Sequence, residues 1–296
     1  MDGTRVRLAA WACVVTLACG VGHTGGVPSP PRAEAQEAGG AEAPAADGRA
    51  PESASRPPPR LEDLPPGFVP PARRPERELS YGSTARRLLG RLYAERRTTF
   101  YCDCAFDADK RVDAASCGFA PGERWRNRAE RVEWEHVVPA SVMLRGRPCA
   151  TDPEREGSPR AWCRRVDPAF RAMEGDLHNL VPAVGQLNAE RSNHPYGEVP
   201  GEPRRFGACD FEVEDGVVEP APPIRGDIAR IHAYMATTYG LDLDPESSRM
   251  MARWGLQDPP TVEERALWNA GSDVLGVTRR WKPPAAPLGP VVRRQD

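Results

Sequence analysis

Several things are scarce in this 296-residue chain. Lysine occurs only as Lys110 and Lys282, so arginine supplies nearly all of the 40 basic residues, and 42 acidic ones leave a net charge of −2. A chain so close to neutral has no global field to draw in polyanions, and any phosphate affinity must come from local clusters. The apolar run Leu8–Ala18 is too short to cross a bilayer stably. No Cys-x-x-Cys pair occurs, and there are no internal repeats.

What is present divides the chain. Arg5 and Arg7 precede that apolar run, which ends in small residues, and this reads as a secretory signal over residues 1–22. Leu17-Ala18-Cys19-Gly20 also resembles a lipid-attachment box, although Thr16 stands where a leucine is expected. Simple cleavage and a lipid on Cys19 both stay open. Residues 23–75 are mostly Ala, Pro, Glu, Gly, Ser and Arg, with too little apolar surface to offset the entropy of ordering them. They read as a disordered linker, residues 76–283 as a single folded domain, and residues 284–296 as a frayed tail.

Of eight cysteines, Cys13 and Cys19 fall in the signal, which leaves six. An even number in an exported chain reads first as three disulfides, with a zinc site as the rival. Cys102 and Cys104, two apart, point to one face if the segment is a strand and so need separate partners. Cys149–Cys163 closes a short loop and is the first expectation; Cys104–Cys117 and Cys102–Cys209 complete it, out of fifteen connectivities.

Hydrophobic periodicity predicts an amphipathic helix in 79–96 and strands over 98–106 and 127–134. Residues 145–165 read as a loop. Helices follow from Pro168 to about Glu174, over 182–191 and over 224–239, the last stopped by Gly240. A strand is expected near Phe211, and one or two closing helices carry Met250, Met251, Trp254, Leu267 and Trp268. His232 reads as a core or interfacial residue. The class is α+β.

Three clusters carry chemistry: Glu133 to Pro139, Gly175 to Leu180, and Gln186 to Arg191. A carboxylate beside a neutral imidazole, as in Glu135-His136, suits metal-assisted hydrolysis, with histidine as base. Consecutive strand residues face opposite ways, so the two meet one site only if the strand ends or twists at Glu135. Asn188, one turn after Val184 on the apolar side of the 182–191 helix, would bury its amide unless a metal or a loop satisfies it. Arg124, Arg126 and Arg128 alternate and read either as a phosphate-tracking row or as a solvated charged strand.

In order, Phe100-Tyr101-Cys102, Arg131 to Ala140, Gly175 to Ala183 and Leu187 to Asn193 resemble the bacterial endonuclease I family of periplasmic and secreted nucleases, over about residues 100–239. The resemblance implies a ββα-metal (His-Me finger) core and cleavage of DNA, and of RNA, with little sequence preference. It implies a general base at His136 and one Mg2+, replaceable in binding by Mn2+ or Ca2+, on Glu135 and Asn188. It further implies Arg160 on the scissile phosphate, with Arg155 and Arg164 as alternatives, Glu174 behind them, 5′-phosphate products, a periplasmic or secreted location and a monomer. Relatives carry a further cysteine pair toward the C-terminus, whereas no cysteine follows Cys209 here. Readings of another kind are an inactive exported nucleic-acid-binding module and a zinc-bound HNH-like protein.

Overall fold

The computed structural model describes residues 59–76 and 79–283; the signal, Cys19 and the tail lie outside the described residues. In chain order the elements are helix α1 (Ser83–Leu92), strand β1 (Val132–His136), α2 (Ala140–Met143), α3 (Pro159–Val166) and α4 (Pro168–Glu174). Then come β2 (Leu180–Val184), α5 (Gly185–Arg191), the strands β3 (Phe211–Glu214) and β4 (Val217–Pro220), α6 (Arg225–Tyr239), α7 (Pro245–Gln257) and α8 (Val262–Leu275). The class is α+β, as the patterning predicts.

β1 and β2 form an antiparallel pair with Glu135 opposite Val181 and His136 opposite Leu180, and α5 follows β2 directly. Both faces of this small sheet are buried. Val132, Trp134 and Leu180 pack into one apolar cluster with Leu89, Tyr93 and Leu177; Val181 and Ala183 pack into a larger one with Leu187, Phe211, Ile228 and Trp254. Glu135 and His136 therefore leave the strand into two different surroundings.

Several local expectations need correction. The 182–191 helix begins three residues late, because Pro182 sits in β2 opposite Trp134. In a two-stranded sheet each strand is an edge, so a proline that cannot donate is tolerated there. Val184 accordingly caps α5 instead of lying on its apolar face. The predicted strand over 127–134 shifts to Val132–His136, with Arg126–Arg128 in a 3-10 turn. Residues 98–106 form no continuous strand: Thr98 bridges Ala105 across a turn in which Asp103 has φ 54°. The presumed loop 145–165 contains most of α3, started by Ser158, whose side chain accepts from Ala161 N, and by Pro159 at its first position.

The linker reading also fails for residues 59–75. Leu61, Leu64 and Phe68 are buried in the core, and Trp281 Nε1 donates to the Gly67 carbonyl at 2.9 Å. These residues stand in a stretch whose composition holds too little apolar surface to fold alone, yet they bury because α6 and α7 pack against the turn that begins at Leu61.

The disulfides are Cys102–Cys209, Cys104–Cys117 and Cys149–Cys163, all three of the expected pairs. The first joins the turn after Thr98 to the start of β3, and the third ties the chain before α3 to α3 itself.

Candidate active site

β1 runs through His136 before the chain leaves the sheet, so the break at Glu135 expected for a shared site does not occur. The end of the strand is fixed by side chains from elsewhere. The Arg191 guanidinium donates to the carbonyls of His136 and Val137 at 2.8 and 2.5 Å. Asn179 bonds both ways with Val138, accepting its N–H at 2.7 Å and donating to its carbonyl at 3.0 Å.

His136 is buried, and its Nε2 lies 2.9 Å from the Glu174 carbonyl oxygen. A carbonyl can only accept, so the proton of the neutral ring is on Nε2 and Nδ1 is left as a base. Burial, reinforced by the charge of Arg160, pushes the His136 pKa down to about 4. The imidazole is therefore neutral at ordinary pH. Tyr81 supports it, with ring centroids 4.6 Å apart.

On the other face of the strand, Glu135 Oε1 accepts from Tyr101 Oη at 3.0 Å and faces Arg191 at 3.1 Å. Tyr101 spends its only proton on this bond, so Tyr196 Oη, 2.8 Å away, donates to Tyr101. Burial pushes the Glu135 carboxyl up, although Arg191 and Tyr101 pull it back. Arg160 and Arg191 act electrostatically on both Glu135 and His136, so the two side chains share one field despite their opposite exits.

Asn188 and Arg191 lie three residues apart on α5, and Glu133 and Glu135 two apart on β1. Two rungs result: Asn188 Nδ2 donates to Glu133 Oε2 at 3.1 Å, and Arg191 meets Glu135. Glu133 is in turn held by Arg128 Nε and Arg131 Nε, both at 2.9 Å. The close approach requires Gly185, where a Cβ would lie 2.7 Å from the Arg128 carbonyl oxygen and 2.9 Å from Glu133 Oε1. With its nitrogen committed to Glu133, Asn188 turns a carbonyl oxygen that accepts no hydrogen bond among the described residues. One carboxylate and one amide carbonyl are hard oxygen donors of the kind Mg2+ accepts alongside water and phosphate. Among the described residues no group of three or more His, Cys, Asp or Glu is placed to hold a metal.

Glu174 is fully buried and clamps two arginines: Arg160 Nε at 2.6 Å, and Arg164 through Nε at 2.6 Å and Nη2 at 2.5 Å. Burial raises its carboxyl, but the bonds and charges of Arg164 and Arg160 outweigh this and hold it below the usual range. Both guanidiniums lie over Tyr81, 5.3 and 5.7 Å from its centroid. Arg160 Nη2 is buried without a hydrogen-bond partner. Arg155 reaches instead toward the Ala150 carbonyl, away from this cluster.

The alternating arginine row does not exist as a strand edge. Arg124 is exposed and 3.7 Å from Glu190, Arg126 reaches the Pro121 carbonyl, and Arg128 is committed to Glu133. Their parity has no meaning in a loop followed by a 3-10 turn. Residues that sequence reasoning did not assign are Arg191, Asn179, Tyr101 and Tyr81. All but Tyr81 stand in the quoted motifs, where only packing reveals their partners.

The sequence matches the family model for endonuclease I over residues 87–270. The chain belongs to the endonuclease I family. An extracellular deoxyribonuclease of Aeromonas hydrophila is 39% identical over 181 residues, which is 59% of this chain and 76% of that one. A periplasmic deoxyribonuclease of the same organism is 38% identical, covering 58% of this chain and 72% of its own. An endonuclease-1 of Buchnera aphidicola is 34% identical over 56% and 66% respectively. The matched span contains β1, β2, α5 and every residue of the site apart from Tyr81.

Proposed function

We propose that this family member is an exported, Mg2+-dependent endonuclease that hydrolyses phosphodiester bonds in DNA and RNA with little sequence preference and leaves 5′-phosphates. The observation that carries the reading is the contact of His136 Nε2 with the Glu174 carbonyl, which leaves Nδ1 as the base, next to the two arginines that Glu174 clamps. Glu135 and Asn188 would hold one Mg2+, in a β-β-α unit of the ββα-metal kind, with Mn2+ or Ca2+ able to take its place in binding. Bound there, the ion would neutralise phosphate charge and stabilise the departing 3′ oxygen.

His136 Nδ1 takes the proton of the attacking water, and the Glu174 carbonyl keeps the ring oriented while it does so. Arg160, whose side chain is 38% exposed, offsets the charge that builds on the phosphoryl oxygens. Glu174 holds Arg160 and Arg164 in place, and Arg191 holds the strand end so that His136 and Glu135 keep a fixed relation.

Three disulfides support folding in an oxidising compartment, and the relatives named extracellular and periplasmic support a secreted or periplasmic location. A lipid on Cys19 would tether the enzyme to a membrane, and it acts as a monomer on this reading.

The test is incubation of the purified, oxidised protein with supercoiled plasmid and with RNA, in Mg2+ and in chelator. Nicking in Mg2+ that stops in chelator and is lost in His136→Ala supports the proposal. Binding of plasmid without cleavage, or full activity in His136→Ala, sinks it.

A further inference from the structure

Trp125 is placed as no core residue would be. The residue is 43% exposed, and it is the exposed large aromatic among the described residues. Its φ of 56° puts a bulky side chain in the left-handed region, where Gly or Asn is the usual occupant. Folding does not reward this: the indole fills no part of either apolar cluster.

The surrounding loop is nevertheless fastened to the candidate active site at three points. Gln186, at the start of α5, donates through Nε2 to the Gly122 carbonyl at 3.0 Å and to the Arg124 carbonyl. Arg124 lies 3.7 Å from Glu190 on the same helix. Arg128 is bonded to Glu133, whose other oxygen accepts from Asn188. The guanidiniums of Arg124 and Arg128 stand 5.5 and 5.8 Å from the indole centroid. A rigidly mounted, exposed aromatic with guanidiniums over its ring, that of Arg124 on a 72% exposed and loosely paired side chain that can yield its place, is a combination that holds an unpaired base by stacking while the backbone phosphates meet arginine.

We propose that Trp125 is a base-stacking residue that engages an unpaired nucleobase of the substrate strand beside the Glu133–Asn188 rung, giving the enzyme a preference for single-stranded or locally opened nucleic acid. This rests on the nuclease reading above. Arg124, 72% exposed and loosely paired, supplies the phosphate contact next to it. Arg128, bound to Glu133, serves to hold the indole.

The experiment measures affinity in EDTA for two labelled single strands of equal length, one with ordinary bases and one with abasic positions. The proteins are the wild-type full chain, Trp125→Phe and Trp125→Asn. Trp125→Asn should lose roughly ten- to a hundredfold in affinity for the base-bearing strand and essentially nothing for the abasic one. Trp125→Phe should keep most of the affinity. Because Asn accepts positive φ better than Trp, the thermal midpoint of Trp125→Asn should not fall.

Equal affinity of wild type and Trp125→Asn for the base-bearing strand overturns the proposal, as does an equal loss on both strands or no measurable binding by wild type. Nicking of plasmid in Mg2+ is scored separately. Its absence in wild type sinks the nuclease reading, whereas base-dependent binding that ignores Trp125 sinks this inference alone.

Discussion

At the scale of single residues, the site separates groups that do chemistry from groups that hold them. His136→Ala should lower turnover by roughly 10²–10⁴ with little change in fold, measured as initial nicking rate against thermal midpoint. Asn188→Ala and Glu135→Ala should instead raise the Mg2+ concentration needed for half-maximal rate. An unchanged metal requirement in both variants would remove them from the ligand set. Arg191 belongs to the second kind. It is fully buried, and removing it leaves the Glu135 carboxylate without its cation and two carbonyls without their donor. Arg191→Ala should cost about 3–5 kcal/mol of stability, the usual loss when one partner of a buried ion pair is deleted, read by denaturant unfolding.

Among elements, the decisive contact is α5 against β1. Gly185 permits it, since any Cβ would meet the Arg128 carbonyl and the Glu133 carboxylate. Gly185→Ala should destabilise by about 1–3 kcal/mol and also raise the Mg2+ concentration needed for half-maximal rate, because it pushes Asn188 away from Glu133. A loss of stability with unchanged metal titration would show that the rung is not shared. On the other side, Cys149–Cys163 anchors α3, the helix that carries Arg160 and Arg164. Replacing both cysteines by alanine opens a loop of 14 residues, for which roughly 3 kcal/mol is expected. The rate should fall as the arginines lose their fixed position. A rate equal to wild type at a temperature where the variant is folded would argue against a positioning role for that helix.

For the molecule as a whole, the folded unit reaches further toward the N-terminus than composition suggests. A chain starting at residue 59 should match the full chain in midpoint and rate. One starting at residue 76 should lose several kcal/mol, since Leu61, Leu64 and Phe68 each stabilise by about 1.5–3 kcal/mol when buried. Acid sensitivity belongs to this scale too. His232 is buried in α6, bonded through Nδ1 to the Ile228 carbonyl, and burial pushes its pKa down to about 4. Above about pH 6.5 it is neutral in both states and makes no pH-dependent contribution. As pH falls from 6.5 to 4 the unfolded chain takes up a proton that the folded one refuses, and stability drops. His232→Phe should reduce the pH slope of unfolding in that window by about one proton; an unchanged slope would mean that His232 is solvated.

Glu135, His136 and Asn188 could be proposed from the chain alone because a carboxylate beside an imidazole and an amide on a helix face are local features, and the ordered motifs identify the family. Arg191, Asn179, Tyr101 and Tyr81 could not, since only packing gives them partners. The α+β class, the helices α4 and α6 and the short pairs Cys104–Cys117 and Cys149–Cys163 were legible for similar reasons: capping, periodicity and short loop closure act between near neighbours. The linker boundary was not, because Leu61, Leu64 and Phe68 bury only against a groove made nearly two hundred residues later. Nor were the start of α5, since Pro182 fits a helix N-terminus and an edge strand equally, or the fate of Arg124, Arg126 and Arg128, whose alternation describes a strand that never forms. Which arginine stands beside His136 is decided by Glu174, buried with α3 folded over it. Only tertiary packing creates the low-dielectric setting in which one carbonyl fixes the tautomer of His136 and Arg191 holds the strand end beside Glu135.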